Sequence, residues 1–147
     1  MKLEIPQSLK FEHEALHSTR VKATKVAGAT GEAARAVAVA LHPHFVKEEQ
    51  LALPALALLA PLARGQLTPE MREVVLLTDR LRTELPQMLA EHRAIVAALD
   101  KLVEAARAEG HTQYADFAEE LKLHARTEEE VMYPAAVLVG EYIKRAT

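Results

Sequence analysis

The chain contains no cysteine, and that absence removes whole classes of chemistry. Disulfides, thiolate-bound zinc, iron–sulfur clusters and cysteine nucleophiles are excluded. Aromatic residues make up only 4% of the sequence, and glycine occurs five times in 147 residues. Little is left to favour strands, whereas the abundant alanine and leucine favour helices. No strong excess of one charge exists. The formal net charge is -3, with lysines and arginines scattered among acids, so no nucleic-acid partner is expected. No apolar run can span a bilayer: the most apolar stretch, 51–63, is short and contains Pro54 and Pro61. Near the start, Glu4 and Pro6 stand where a signal peptide would place an apolar segment. These features predict a cytoplasmic protein with one domain, residues 1–147, large enough to bury a real core.

What is present is one metal-ligand motif written twice. His44-Phe45-Val46-Lys47-Glu48-Glu49 runs on to Leu51, Leu53 and Pro54, and His124-Ala125-Arg126-Thr127-Glu128-Glu129 runs on to Val131, Tyr133 and Pro134. On a helix, residues four apart share a face. Each copy therefore aims an imidazole and a carboxylate in one direction, as a transition-metal site requires.

The pattern along the chain is all-α. Ser8 is a candidate N-cap for a first helix, and the glycines at 28 and 31 break it. A second helix, kinked at Pro43, runs through the first motif toward Leu59. Pro61, Gly65 and Thr68-Pro69 form the central break. A short helix over 71–82 precedes a restart at 83–86 and a long helix ending at Gly110. The last helix begins near Thr112 and carries the second motif past Pro134 to Lys144. Four principal helices with short links predict an up-down-up-down four-helix bundle, with prolines kinking helices two and four.

The repeat reaches further than the motif. Glu12-His13 on the first helix matches Glu91-His92 on the third, at an offset of 79. The bundle is thus internally duplicated, each half supplying Glu-His and then His-x3-Glu. A pseudo-twofold arrangement would bring both sets to the centre and put two carboxylates on its axis. The candidate ligands are His13, His17, His44, Glu48, His92, His124 and Glu128. A lone histidine on an apolar face is ordinarily a packed core residue, and a lone His/Glu pair a solvated one; the repetition decides against both except at His17, which has no counterpart in the second half and rests on its i,i+4 relation to His13 alone. Glu49 and Glu129 lie one position further round the helix and read as surface or supporting carboxylates. Glu129 is the reserve ligand if that helix is locally rewound toward Pro134. Glu12, Glu14 and Glu91 are expected in solvent, as is His111, and His42, two residues from His44, faces away from it. Seven imidazole and carboxylate ligands without a thiolate suit iron, manganese or zinc. They are too many for one structural zinc. No Glu-x-x-His pair lies on the metal-facing stripe, which disfavours the ferritin type of di-iron site.

At these residues the chain resembles the hemerythrin-like family, the HHE cation-binding domain. The resemblance rests on His13, on His44-Phe45-x2-Glu48-Glu49, on Glu91-His92 and on His124-x3-Glu128-Glu129, with Leu53-Pro54 and Tyr133-Pro134 downstream. It implies a four-helix bundle around two iron ions with a bridging oxo or hydroxo group, for which manganese or zinc can substitute. It further implies a protein that binds or senses dioxygen or a related small oxidant. The sequence departs from the oxygen carriers of the family at one place. Their third helix has two histidines one turn apart, whereas here Val96 follows His92 and the extra histidine, His17, is on the first helix. The expectation is that His13, His17 and His44 hold one iron and His92 and His124 the other, bridged by Glu48 and Glu128. Two alternatives share the centre. One is a di-iron enzyme turning over peroxide or nitric oxide, and the other a metal-responsive interaction module.

Overall fold

The computed structural model describes residues 4–147. Met1, Lys2 and Leu3, which precede the Glu4 and Pro6 that argue against a signal peptide, lie outside them. The described residues are all-helical and contain no strand. In chain order the elements are α1 (Gln7–Thr24), α2 (Gly28–Leu51), the short α3 (Leu53–Leu56) and α4 (Leu59–Ala63), a 3₁₀ turn (Pro69–Arg72), α5 (Glu73–Ala108), α6 (Thr112–Thr127), a π-helical turn (Glu128–Met132) and α7 (Tyr133–Ala146). Among them no helix is long and apolar enough to cross a membrane.

Three differences from the expected boundaries have physical causes. The expected short helix and its restart are one helix: α5 runs unbroken through Pro86, as α2 runs through Pro43. A proline inside a helix frees the carbonyl four residues earlier. Both prolines are exposed, as are Val39 and Arg82 four residues before them, so water can satisfy what the ladder loses. The second helix ends at Leu51 rather than near Leu59, because Pro54 cannot continue its hydrogen bonding and a separate turn starts there. The last helix is interrupted by the π turn, which inserts its extra residue beside the second motif and ahead of Pro134.

Helix α5 is the central element and packs against α2, α6 and α7, while α1 packs against α2 and α6. The apolar side chains gather into two clusters. One joins Leu51, Leu53, Leu81, Met88, Tyr133 and Ile143; the other joins Val37, Leu41, Ile95, Leu99, Phe117 and Leu121. Each long helix passes from one cluster to the other through a short polar stretch. On α2 that stretch, His44 to Glu48, lies between Leu41 and Leu51, and on α5 His92 lies between Met88 and Ile95. The polar layer is therefore roofed and floored by hydrocarbon.

Candidate metal centre

Four imidazoles and two carboxylates make up this layer. His13, His44, Glu48, His92, His124 and Glu128 are each at most 7% exposed. Burying so many polar groups without compensation would cost several kcal/mol per ionised side chain, so their grouping calls for a specific partner. The ligand atoms fall into two sets of four, His13/Glu48/His124/Glu128 and His44/Glu48/His92/Glu128, each within 4.8 Å of one another. Both glutamates belong to both sets.

Each carboxylate divides its oxygens between the sets. Glu48 Oε1 lies 3.0 Å from His13 Nε2, and its Oε2 lies 3.6 Å from His44 Nε2. Glu128 Oε2 lies 3.4 Å from His124 Nε2, and its Oε1 lies 3.3 Å from His92 Nε2. Two donors about 2.1 Å from one ion stand about 3.0–3.4 Å apart for angles between 90° and 109°, given usual ion–nitrogen and ion–oxygen distances. The first set shows the need most clearly. His13 Nε2, His124 Nε2, Glu48 Oε1 and Glu128 Oε2 are all buried without a hydrogen-bond partner. Four such lone-pair bearers around one point suit a cation.

A second layer orients the rings. Every Nδ1 faces a carboxylate: His13 faces Glu49 at 3.6 Å, His44 faces Glu91 at 3.0 Å, His92 faces Glu129 at 2.8 Å, and His124 pairs with Glu12. A carboxylate hydrogen-bonded to the outer nitrogen, as at His44 and His92, fixes the tautomer and turns Nε2 inward, the usual support of a metal-bound histidine, whereas His13 Nδ1 is left without a hydrogen-bond partner. The expectation that Glu12 and Glu91 are idle in solvent is thereby corrected. Each partly exposed carboxylate reaches the histidine of a neighbouring helix, not the one beside it in sequence. The signal was present in the repeat, since Glu-His recurs intact, but sequence adjacency pointed to the wrong partner.

The electrostatics follow from this crowding. Burial pushes Glu48 toward its neutral form, but the nearby His13 and His44 rings and the Tyr133 hydroxyl outweigh it and hold its pKa at about 2. Burial also opposes charge on His13 and His44, yet Glu48, with Glu49 and Glu91 respectively, raises both. His92 goes the other way, lowered by burial and by the neighbouring His44. Six carboxylates surround four imidazoles, so the layer carries negative charge that a cation neutralises.

Residues 83–146 match the family model of the hemerythrin HHE cation-binding domain. The matched stretch holds Glu91, His92, His124, Glu128 and Glu129, so the resemblance read from the motifs stands over the second half of the chain. No curated protein and no solved structure matches the chain. In the first half, which the family model does not reach, His13, His44 and Glu48 complete both ligand sets.

Six of the seven expected ligands converge. His17 does not, and with it falls the expected division of three histidines against two. The ring is exposed one turn beyond the buried layer, and its Nδ1 accepts a hydrogen bond from Arg20 Nη2 at 2.6 Å. Each set already has four donors, and the sets join helices that pack together: α1 with α6 through His13 and His124, α2 with α5 through His44 and His92. Glu129, the reserve ligand, lies outside both sets.

One residue at the centre belongs to the apolar tail of the second motif and is not among the expected ligands. Tyr133 is 1% exposed, and its hydroxyl donates to Glu48 Oε2 at 2.7 Å. The same oxygen lies 3.1 Å from His44 Nε2 and 3.3 Å from His92 Nε2, so a phenol stands beside the second set only. Burial and the Glu48 carboxylate raise its pKa far above the ordinary value, keeping the proton on in the metal-free protein. The available clue was the replacement of Leu53 by Tyr133 between otherwise matching motif copies.

Proposed function

We propose that the chain binds two iron ions in the two ligand sets and uses them to bind or sense dioxygen or a related small oxidant in the cytoplasm. The observation that carries this reading is the division of the Glu48 and Glu128 oxygens, one to each set, which is the arrangement of two bridging carboxylates. The long segments α1, α2, α5 and α6–α7 are read as the up-down-up-down bundle, with the duplication supplying the near-twofold ligand layer. A hard-donor set of imidazole and carboxylate suits iron, with manganese and zinc as competitors. When bound, the iron pair would supply the electrons for reversible oxidant binding, with an oxo or hydroxo group between the ions.

The chain's own residues set the conditions for that chemistry. The two apolar clusters above and below the layer exclude bulk water. A cavity of about 10 Å³ between Leu41, Ile95, Leu121 and the His/Glu layer has the size of about one water-sized molecule, so any ligand that reaches the layer must be small. The Tyr133 hydroxyl holds a proton at Glu48 Oε2, where a developing negative charge on a neighbouring oxygen could take it. That proton supports a second reading, turnover of peroxide or nitric oxide, in which the reduced iron pair would supply the electrons and be oxidised while protons are consumed.

Metal analysis of freshly purified protein, with optical spectra of the reduced protein before and after exposure to air, tests both readings. Two ions per chain and a long-lived oxygenated spectrum are expected for binding or sensing. Rapid bleaching with consumption of added peroxide favours turnover, and a metal content near zero refutes both.

A further inference from the structure

A second site lies on the open side of α1, outside the metal layer. A cavity of about 380 Å³ runs between α1 and α2, with His13, His17 and Arg20 on one wall and Phe45, Val46 and Leu53 on the other. His13 and Phe45 are stacked with their centroids 5.0 Å apart, and they close its inner end. Its size is at the small end of the roughly 300–1,000 Å³ usual for small-molecule sites, which are mostly apolar with a few placed polar groups.

Arg20 is the group that has no explanation elsewhere. It is only 7% exposed, its Nε has no hydrogen-bond partner, and among the described residues no carboxylate pairs with it. Burial alone pushes its pKa down, with no acid to offset the cost. A buried guanidinium without a counter-charge is among the most costly groups a fold can hold, so a lasting one implies an anion. The one interaction it makes is the Nη2 bond to His17 Nδ1, which holds the guanidinium in place and fixes the His17 proton on Nε2 as a further donor. Of the acids on the cavity wall, Glu49 is turned to His13 Nδ1 and Glu14 is exposed, while Lys10 adds a cation at the rim.

We propose that this cavity binds a small organic monocarboxylate, its carboxylate on the Arg20 guanidinium and its apolar body between Phe45, Val46 and Leu53. The planar fork of a guanidinium matches a carboxylate with two parallel hydrogen bonds, which a lysine could not reproduce. The apolar walls leave a multiply charged or fully hydrated anion poorly satisfied. The site requires no metal, and His17 acquires a role as the residue that positions Arg20.

Calorimetric titration of the metal-bound full chain with benzoate, and with benzamide as its uncharged counterpart, tests the proposal. Benzoate is expected to bind at least tenfold more tightly than benzamide. Arg20→Met should weaken benzoate at least tenfold and raise the thermal midpoint of the ligand-free protein, because a buried unpaired charge is gone. Arg20→Lys, which keeps the charge and loses the fork, should fall between. In the wild type the Arg20 Nε–H resonance should move on adding benzoate, a readout that needs no variant to fold. Equal binding of benzoate and benzamide, an unmoved Nε–H resonance, or benzoate binding that survives Arg20→Met would each overturn the proposal; in the last case the acid sits on the metal ions. Metal content read in the same samples separates a failure here from a failure of the metal reading.

Discussion

The two halves of the molecule supply the same ligands by different local structures. In the first half, α2 carries His44, Glu48 and Glu49 in a regular helix that stops at Leu51. In the second, α6 gives way to a π turn at Glu128 before α7 begins. The supporting carboxylates register the difference: Glu129 reaches His92 Nδ1 at 2.8 Å, whereas Glu49 stands 3.6 Å from His13 Nδ1. The wider turn sets Glu129 inward while leaving Glu128 in both ligand sets. The π turn also delivers Tyr133 to the centre, where the first half has only Leu53. Duplication thus fixes which atoms can hold metal, and the local departure from it decides that one position has a phenol beside it. The asymmetry expected from His17 is real in the sequence, but the centre feels it at Tyr133.

The largest effects should come from breaking what the halves share. Replacing Glu48 or Glu128 with Ala removes a ligand from both sets, so metal analysis should show content falling from near two ions per chain to near zero. Replacing His13 or His44 with Ala touches one set and should leave about one ion. If Glu48→Ala retains a full ion, the shared-carboxylate geometry is wrong. Next come the supporting carboxylates, where the halves differ. Glu129→Gln should weaken metal binding by roughly 10–100-fold in chelator competition, the usual cost of losing such a partner. Glu49→Gln, acting across a longer gap, should cost less, and equal losses would remove the π turn from the explanation. Tyr133→Phe should destabilise the metal-free protein by about 1–3 kcal/mol in denaturant titration, since Glu48 Oε2 loses a donor in a site where water cannot replace it.

The ligand layer was legible in the sequence because it rests on short-range periodicity: four residues make one turn, and the same spacing occurs twice. His13 and His92 followed from the repeat for the same reason. What could not be read was which helix lies against which. Glu12 supports His124 and Glu91 supports His44, across pairs of helices whose adjacency only packing decides. His17 shares a helical face with His13, yet one turn carries it from buried layer to open cavity. The helix-breaking prolines misled in the opposite sense. Pro86 was given a break, but its exposed ring lets α5 continue, while buried Pro54 does start a new element.

A smaller contrast concerns packing. Gly140 on α7 lies against α5 so closely that an added Cβ would meet Thr78 Oγ1 and come within 2.7 Å of its Cβ. The equivalent position in the first half, Ala60, is exposed and already carries a Cβ. Gly140→Ala should therefore cost about 1–3 kcal/mol by overpacking, despite the better helix propensity of alanine. A neutral thermal midpoint would show that α7 can shift away from α5 freely.

The smallest effect should lie at the α1–α2 junction, where the first half borrows from the second. The Glu109 carboxylate accepts the backbone N–H of Ala29 at 3.2 Å and of Thr30 at 2.7 Å, and the Thr30 hydroxyl as well, closing the open end of α2. The α5–α6 junction closes itself, with the His111 N–H bonded to the Ala106 carbonyl at 2.8 Å. These bonds, the Thr30 hydroxyl first, hold the Glu109 pKa below the usual carboxylate value of 4.5. As pH falls, the unfolded chain therefore takes up this proton before the folded one does. The contribution of the cap is complete above pH 4.5 and erodes as pH drops through the lowered folded value. Because the carboxylate is exposed, solvent screens it, and Glu109→Gln should lower the thermal midpoint at pH 7 by only about 2 °C. The gap between variant and wild type should narrow as pH falls below 4.5. A constant gap at every pH would mean that Glu109 acts through packing and not through its charge.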